Sequence, residues 1–184
     1  MSLNLLLTKY SQYLLNNLLK GISKIQIKQN SLVLTIFPNY LPFICEFLKN
    51  HTNTQYSTLI DIVVVDYPLK TKRFEVVYSL LSIPHNKRVF LKCYLPTLPA
   101  IHSITSVYSV ASWFERESWD MFGIFFLNNF DLRRILTDYG FEGHPFRKDF
   151  PLSGYVELRY DENQKRIISE FLEVSQEYRN FDFL

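Results

Sequence analysis

What the 184-residue sequence lacks narrows it first. It has no stretch of about 18 consecutive apolar residues, so no segment reads as a transmembrane helix. Cysteine occurs only at Cys45 and Cys93, far apart in sequence, and neither a disulfide framework nor a metal-binding spacing appears. The first arginine is Arg73, which excludes an Arg-rich transit peptide in the residues before it. The leucines of the first 19 residues follow no basic n-region, so they do not read as a signal peptide. Glycine is scarce, at 5 residues, and no Gly-rich phosphate loop, G-x-S-x-G, C-x-x-C or His-x-x-x-His is present. Spacing and residue type alone therefore supply no catalytic site and no metal or cofactor box.

Aromatic residues are abundant instead, with 16 Phe and 12 Tyr, and a hydrophobic fraction of 47% suits a globular domain with a core. Few glycines beside many Phe, Tyr, Asn, Ile and Lys fit a gene rich in A and T, as in some organelle genomes. The formal charge of +2 is split: residues 1–100 carry a net +7 and residues 101–184 a net −5. A nucleic-acid binder concentrates positive potential more strongly. A split chain fits docking to neighbours of complementary charge.

The apolar pattern predicts a helix over residues 3–19, with Leu3, Leu7, Tyr10, Leu14 and Leu18 on one face, Leu6 beside it and Gly21 as its stop. Ile25 and Ile27 alternate with Lys24, Gln26 and Lys28. After Asn30-Ser31, Leu32, Leu34 and Ile36 form the returning strand. Asn39 reads as the cap of a second helix that tolerates Pro42 in its first turn and buries Leu41, Ile44, Cys45 and Leu48. Thr58–Val65 is nearly all apolar, which predicts a central strand. Phe74–Leu81 and Arg88–Tyr94 pair through a turn at Pro84-His85-Asn86. The predicted class is α+β, a two-layer domain of helices on a largely antiparallel sheet, with an extended C-terminal arm.

A third helix resumes near Ser106, with Val110, Trp113, Phe114 and Met121 on its predicted apolar face. Arg116 and Asp120, four apart, are expected to pair along it, worth ~0.3 kcal/mol if exposed. Gly123 is its expected stop. From His144 onward the core-forming stripe disappears, and Pro145, Pro151 and Gly154 punctuate the chain. Val156–Tyr160 alternates and Arg166–Phe171 can return as a ribbon, marginal when alone in water. Phe146, Phe150, Tyr155, Tyr160, Phe171, Tyr178, Phe181 and Phe183 are too many aromatics for an ordinary disordered tail. The segment reads as an arm that becomes ordered on another protein. The boundaries are 1–122 for the domain, 123–145 for a connector and 146–184 for the arm.

Three groups invite chemistry. Glu115, Glu117 and Asp120 could do acid–base work or hold a hard cation. An ion-pair network with Arg116, Arg133 and Arg134 is the favoured reading. Arg133-Arg134 could clamp a phosphate, but no phosphate loop accompanies them. His144 could act as a base yet has no nucleophile near it in sequence. A free-standing enzyme using Glu117, Asp120 and His144 is the alternative reading. RNA binding through Phe74, Tyr78, Phe90 and Tyr94 ranks lower, because these aromatics are spread along alternating strands as core residues are.

Glu115-Arg116-Glu117-Ser118-Trp119-Asp120-Met121-Phe122-Gly123, followed by Asp131-Leu132-Arg133-Arg134-Ile135-Leu136, resembles the signature of the 30 kDa subunit family of respiratory complex I (NADH:ubiquinone oxidoreductase), called subunit nine where mitochondrial DNA encodes it. The resemblance runs on through Thr137–Tyr155 and Glu157-x-Arg159-Tyr160-Asp161, and takes in Asp66-Tyr67-Pro68 and Phe74–Tyr78. One departure is plain: the family usually has His or Lys, often with Pro, where Asn129 and Phe130 stand here.

The resemblance implies a structural subunit of the peripheral arm, without a catalytic site and without flavin, iron–sulfur cluster or quinone of its own. FMN and the iron–sulfur clusters are expected in partner subunits. The expected partners are the 49 kDa quinone-site subunit and its neighbours, with no nucleic acid. On this reading Arg147, Lys148, Asp149, Phe150, Tyr155, Arg159, Tyr160, Tyr178 and Arg179 form the partner interface. The expected location is the matrix side of the mitochondrial inner membrane; the alternative is the cytoplasmic face of a bacterial inner membrane.

Overall fold

The computed structural model describes residues 3–29, 31–174 and 179–181, with side chains from Leu7 onward. Helix α1 spans Leu3–Asn17, and Leu7, Leu14 and Leu18 bury the predicted stripe. Leu3 and Leu6 of that stripe, like Tyr178 and Phe183, lie outside the described side chains. Strands β1 (Ile22–Lys28) and β2 (Ser31–Ile36) form an antiparallel hairpin. Pro38–Tyr40 is a single 3-10 turn, and α2 runs Leu41–Asn50. Asn39 therefore sits inside that turn and does not cap α2; the cap residue is Tyr40, which makes no side-chain cap bond. The predicted stripe Leu41, Ile44, Cys45 and Leu48 is buried.

Strands β3 (Thr58–Asp66), β4 (Phe74–Ser82) and β5 (Lys87–Leu95) follow as antiparallel neighbours. The sheet order is β1-β2-β5-β4-β3, with β2 and β5 parallel and the other pairs antiparallel. The architecture is the α+β arrangement expected, with β5 at the centre. β3 is an edge strand and not a central one. Its apolar run is explained by helix α3 (Ala111–Phe122), which packs against it, while Val63 on its other side is 46% exposed.

One core holds the domain together. Leu34, Val76, Tyr78, Leu80, Leu91 and Cys93 on the inner face of the sheet meet Leu14, Ile44, Cys45, Leu48 and Ala111 from the helices. Both cysteines are free and fully buried, as their apolar settings predict. A side pair extends the domain: β6 (Ala100–His102) lies parallel to β7 (Phe125–Leu127), and Ile101 and Phe126 join the core. The last strands, β8 (Val156–Asp161) and β9 (Arg166–Phe171), make a separate antiparallel hairpin.

Candidate functional site

Helix α3 buries an unexpected face. Val110 and Trp113 are exposed, whereas Glu115, Ser118 and Asp120 are buried with Ala111 and Met121. The apolar face drawn from the sequence is thus only partly correct, because polar side chains that find buried partners can face inward. Arg116 and Asp120 do not pair with each other. Arg116 donates through Nε to Ser112 O at 3.2 Å, faces Asp131 at 3.6 Å and covers the Trp113 ring at 4.2 Å. Asp131 also holds Arg133 at 3.1 Å.

The Asp120 carboxylate is a collecting point. Its Oδ2 accepts from the backbone N–H groups of Ile135 (3.2 Å), Leu136 (2.8 Å) and Thr137 (2.9 Å). Its Oδ1 accepts from Thr137 Oγ1 (2.6 Å) and Arg134 Nη1 (3.0 Å). Arg134 then reaches Gly143 O at 2.9 Å, which ties the far end of the connector to the same point. Burial works against the Asp120 charge, but the donors from Thr137, Leu136 and Ile135 outweigh it and hold the pKa below the ordinary aspartate value.

The C-terminus of α3 is closed by the segment that follows the connector. A helix leaves its last carbonyls without intrahelical donors. Here Asp120 O accepts from His144 Nδ1 (3.0 Å), Met121 O from Phe146 N (3.1 Å) and Phe122 O from Arg147 Nε (2.7 Å). Gly123 makes that closure possible. Its φ of 73° is left-handed, and an added Cβ would lie 2.5 Å from both the Arg147 guanidinium and the His144 ring. The His144 ring meets Trp119 edge-on at 5.8 Å, and Phe146 meets Phe122 at 5.6 Å. Burial, with the nearby charges of Arg147 and Arg134, pushes the His144 pKa down.

A second fastening comes from the β3–β4 hairpin. Arg73 lies between two carboxylates. Its Nε and Nη2 donate to Asp66 at 2.7 and 2.8 Å, and its Nη1 and Nη2 donate to Asp149 at 3.0 and 2.9 Å. Lys148 N adds a bond to Asp66 Oδ2 at 2.9 Å. The Arg73 hydrogen bonds are the main reason that the Asp66 pKa is held below its ordinary value. This triad is not apparent from composition or spacing. Its one sequence signal is that Asp66 and Arg73 flank a short turn between two alternating strands, which brings their backbones together.

Glu115 has a different setting. It is fully buried with no cation paired to it among the described residues, and accepts from Ser103 Oγ (2.7 Å), Ile104 N (2.9 Å) and Asn129 Nδ2 (2.8 Å). Burial pushes its pKa up against those donors. Asn129, the residue at the departure from the family pattern, therefore has a defined partner.

The signature divides by direction. Glu115, Arg116, Asp120 and Met121 are buried, and Phe122, Arg134 and Ile135 are half-buried. Glu117, Arg133 and Leu136 are exposed. The three groups of the enzyme reading do not converge: Glu117 faces outward, the Asp120 carboxylate is filled by the connector, and His144 meets the Asp120 carbonyl. Among the described residues no group of three or more His, Cys, Asp or Glu could hold a metal ion.

A family model for the 30 kDa subunit of respiratory-chain NADH dehydrogenase matches residues 34–156. The chain belongs to this family. The match takes in the sheet from the second half of β2 onward, α3, the connector and both fastenings. Subunit 9 of NADH-ubiquinone oxidoreductase from Reclinomonas americana is 52% identical over 164 residues, covering 89% of this chain and 80% of that one. The mitochondrial 30.4 kDa subunit of the same enzyme from Neurospora crassa is 48% identical over 176 residues, covering 96% of this chain and 62% of that one. A chain from the membrane-bound sulfane sulfur reductase, an archaeal respiratory membrane complex, superposes with a TM-score of 0.67 at 20% identity, over 79% of this chain and 85% of that one. That last likeness concerns the fold alone. Family membership makes the chain a subunit of respiratory complex I, and no helix among the described residues is long and apolar enough to cross a membrane.

Proposed function

We propose that the chain is a scaffold of the peripheral arm, on the matrix side of the mitochondrial inner membrane. It docks on the 49 kDa quinone-site subunit and its neighbours, and supports electron transfer from NADH to ubiquinone by holding cofactor-bearing partners in place. FMN and the iron–sulfur clusters belong to those partners. The observation that carries this reading is how the signature is used. Asp120, Arg134 and the last carbonyls of α3 are consumed in fastening the connector and the segment after it to that helix. The carboxylate and arginine partners are of the kind that fix geometry, and truncating one leaves the other buried and unpaired.

Docking falls to the arm of residues 146–184. Its first residues, Phe146 to Phe150, hold it to the domain. Beyond them one face of the β8–β9 hairpin presents Val156, Leu158, Tyr160, Ile167 and Phe171, all exposed, while Arg159 and Glu170 pair on the other face. A two-stranded ribbon with an uncovered apolar face has little stability by itself and gains it on a partner. Of the expected contact residues, Tyr155, Arg159, Tyr160 and Arg179 are exposed, whereas Asp149 and the backbone of Lys148 are engaged within the chain.

The test is to replace the chain in its host by one ending at Phe150. The scaffold reading expects the shortened chain to stay folded and to be missing from the very large complex in native membrane extracts. Normal assembly with lost turnover would overturn it. A full-length chain migrating near its own 21.9 kDa would favour the free-standing enzyme instead.

A further inference from the structure

The helices of the domain all join the core on one face of the five-stranded sheet. The pairing registers define what the other face presents. Lys24, Thr35, Lys92, Val77 and Val63 form one row across the strands, and Gln26, Val33, Phe90, Ser79 and Asp61 form the next. Lys28, Ser31, Arg88, Leu81 and Thr58 form a third, and Tyr94, Glu75 and Val65 close the other end. The charge on this face is one-sided. Lys24, Lys28 and Arg88 are exposed and have no carboxylate partner among the described residues. Lys92 is paired with Glu75, and Asp61 at the far edge accepts from Ile62 N. The β1–β2–β5 side is thus basic, and the β5–β4–β3 side carries Phe90, Val77, Val63 and Val65.

We propose that this helix-free sheet face is a docking surface for a second protein subunit, whose contact surface is apolar at its centre and acidic along the side that meets β1 and β2. The inference rests on the chain's place in a multisubunit assembly and adds an interface separate from the arm. Charge complementarity selects the occupant, since three unpaired cations on one side of an apolar strip call for carboxylates on the partner. The face measures roughly 20 by 20 Å from strand spacing and rise, about half of the ~800 Å² that each partner buries in a standard interface. RNA fits less well. Sheet platforms for RNA stack bases on aromatics of neighbouring strands. Here Phe90 and Tyr94 lie on one strand with Lys92 between them, and the Glu75 carboxylate stands beside Tyr94. A second copy placed face to face would bring the same cations together.

The test uses intact complex I carrying this chain, and the free chain for reference. Finding the chain in the purified complex tests the scaffold reading; the reactivity of its lysines there tests the sheet face. Acetylation of Lys24 and Lys28 is expected to be at least about tenfold slower in the complex than in the free chain, as for amines taken into a polar interface. A zero-length carbodiimide should join Lys24 or Lys28 to an Asp or Glu of one other subunit. The K24E/K28E double variant should lower occupancy in the complex about tenfold or more while the melting temperature of the free chain stays unchanged. Equal acetylation in both states would overturn the proposal. So would cross-links confined to this chain or to a second copy, or photocross-links from Phe90 or Tyr94 to nucleic acid.

Discussion

Leu91 and Leu158 both stand in strands whose side chains alternate, and their environments are opposite. Leu91, at the centre of the sheet, is fully buried among residues of α1, α2 and the neighbouring strands, whereas Leu158, in the hairpin, is 61% exposed. The same contrast separates their surroundings: the sheet's inner face meets three helices, and no other element among the described residues packs closely on the hairpin. Alternation specifies a strand with two unlike faces in both places. Among the described residues only the first place supplies the second layer, and a second layer is what turns an amphipathic ribbon into a stable one. The proposed function assigns the layer missing over the hairpin to another chain.

The largest expected effect breaks that symmetry directly. Leu91→Ala should cost about 3 kcal/mol or more in the free chain, through lost burial and the cavity left behind. Leu158→Ala should change the free chain by less than about 0.5 kcal/mol, as exposed substitutions do. Urea unfolding of both variants measures this. In the assembled enzyme the order of consequences should reverse for docking, with Leu158→Ala lowering the amount of chain incorporated.

Next comes the boundary between the two regions. Arg73→Ala leaves the buried Asp66 without its cation and frees Asp149, with an expected cost of about 3 kcal/mol. Amide exchange should then accelerate first at Phe146 to Phe150, the stretch that the triad and the end of α3 hold down. Unchanged exchange there would mean that the aromatic contacts of Phe146 and Phe150 suffice. Glu117→Ala and Arg133→Ala sharpen the comparison from the outside. Both side chains are exposed, so the free chain should lose less than about 0.5 kcal/mol, while the amount of assembled complex falls and turnover per complex stays normal.

How much of this is legible in the sequence follows the same division. Strands β1 to β5, the α2 stripe and the two buried cysteines follow from periodicity, because apolar burial repeats at the period of the element, whereas the three-residue strands β6 and β7 are too short to show one. The hairpin β8–β9 is legible from alternation between Gly154 and Phe171. The edge position of β3 is not, because an apolar run reports coverage by neighbours, and α3 covers β3 from a distant part of the sequence. The buried face of α3 is hidden for a related reason. Glu115 and Asp120 are buried by donors from Ser103, Asn129 and Thr137, and hydrogen-bond partners across a fold leave no periodic trace. The Asp66–Arg73–Asp149 triad is hidden likewise, since its third member is 76 residues from the second.

A pH-dependent difference lies within α3, where two buried carboxylates should titrate with opposite signs. The folded pKa of Asp120 is lowered, so its stabilisation is present in full above the ordinary aspartate value of 3.8 and is lost as pH falls through the lower folded value. Asp120→Asn should remove that acid-side loss, at the cost of a weaker acceptor for Arg134 at neutral pH. Glu115 has a raised folded pKa, so the folded state holds its proton more tightly than the unfolded state does. Its contribution falls as pH rises from the ordinary glutamate value of 4.5 through the raised one. Glu115→Gln should abolish this decline and change stability at neutral pH by about 1 kcal/mol, the scale of one buried hydrogen bond rearranged. Urea unfolding at steps between acid and neutral pH separates the two variants by the sign of the slope each removes. If both variants flattened the same limb, Glu115 would have to be ionised and held by its three donors as firmly as Asp120 is by the connector.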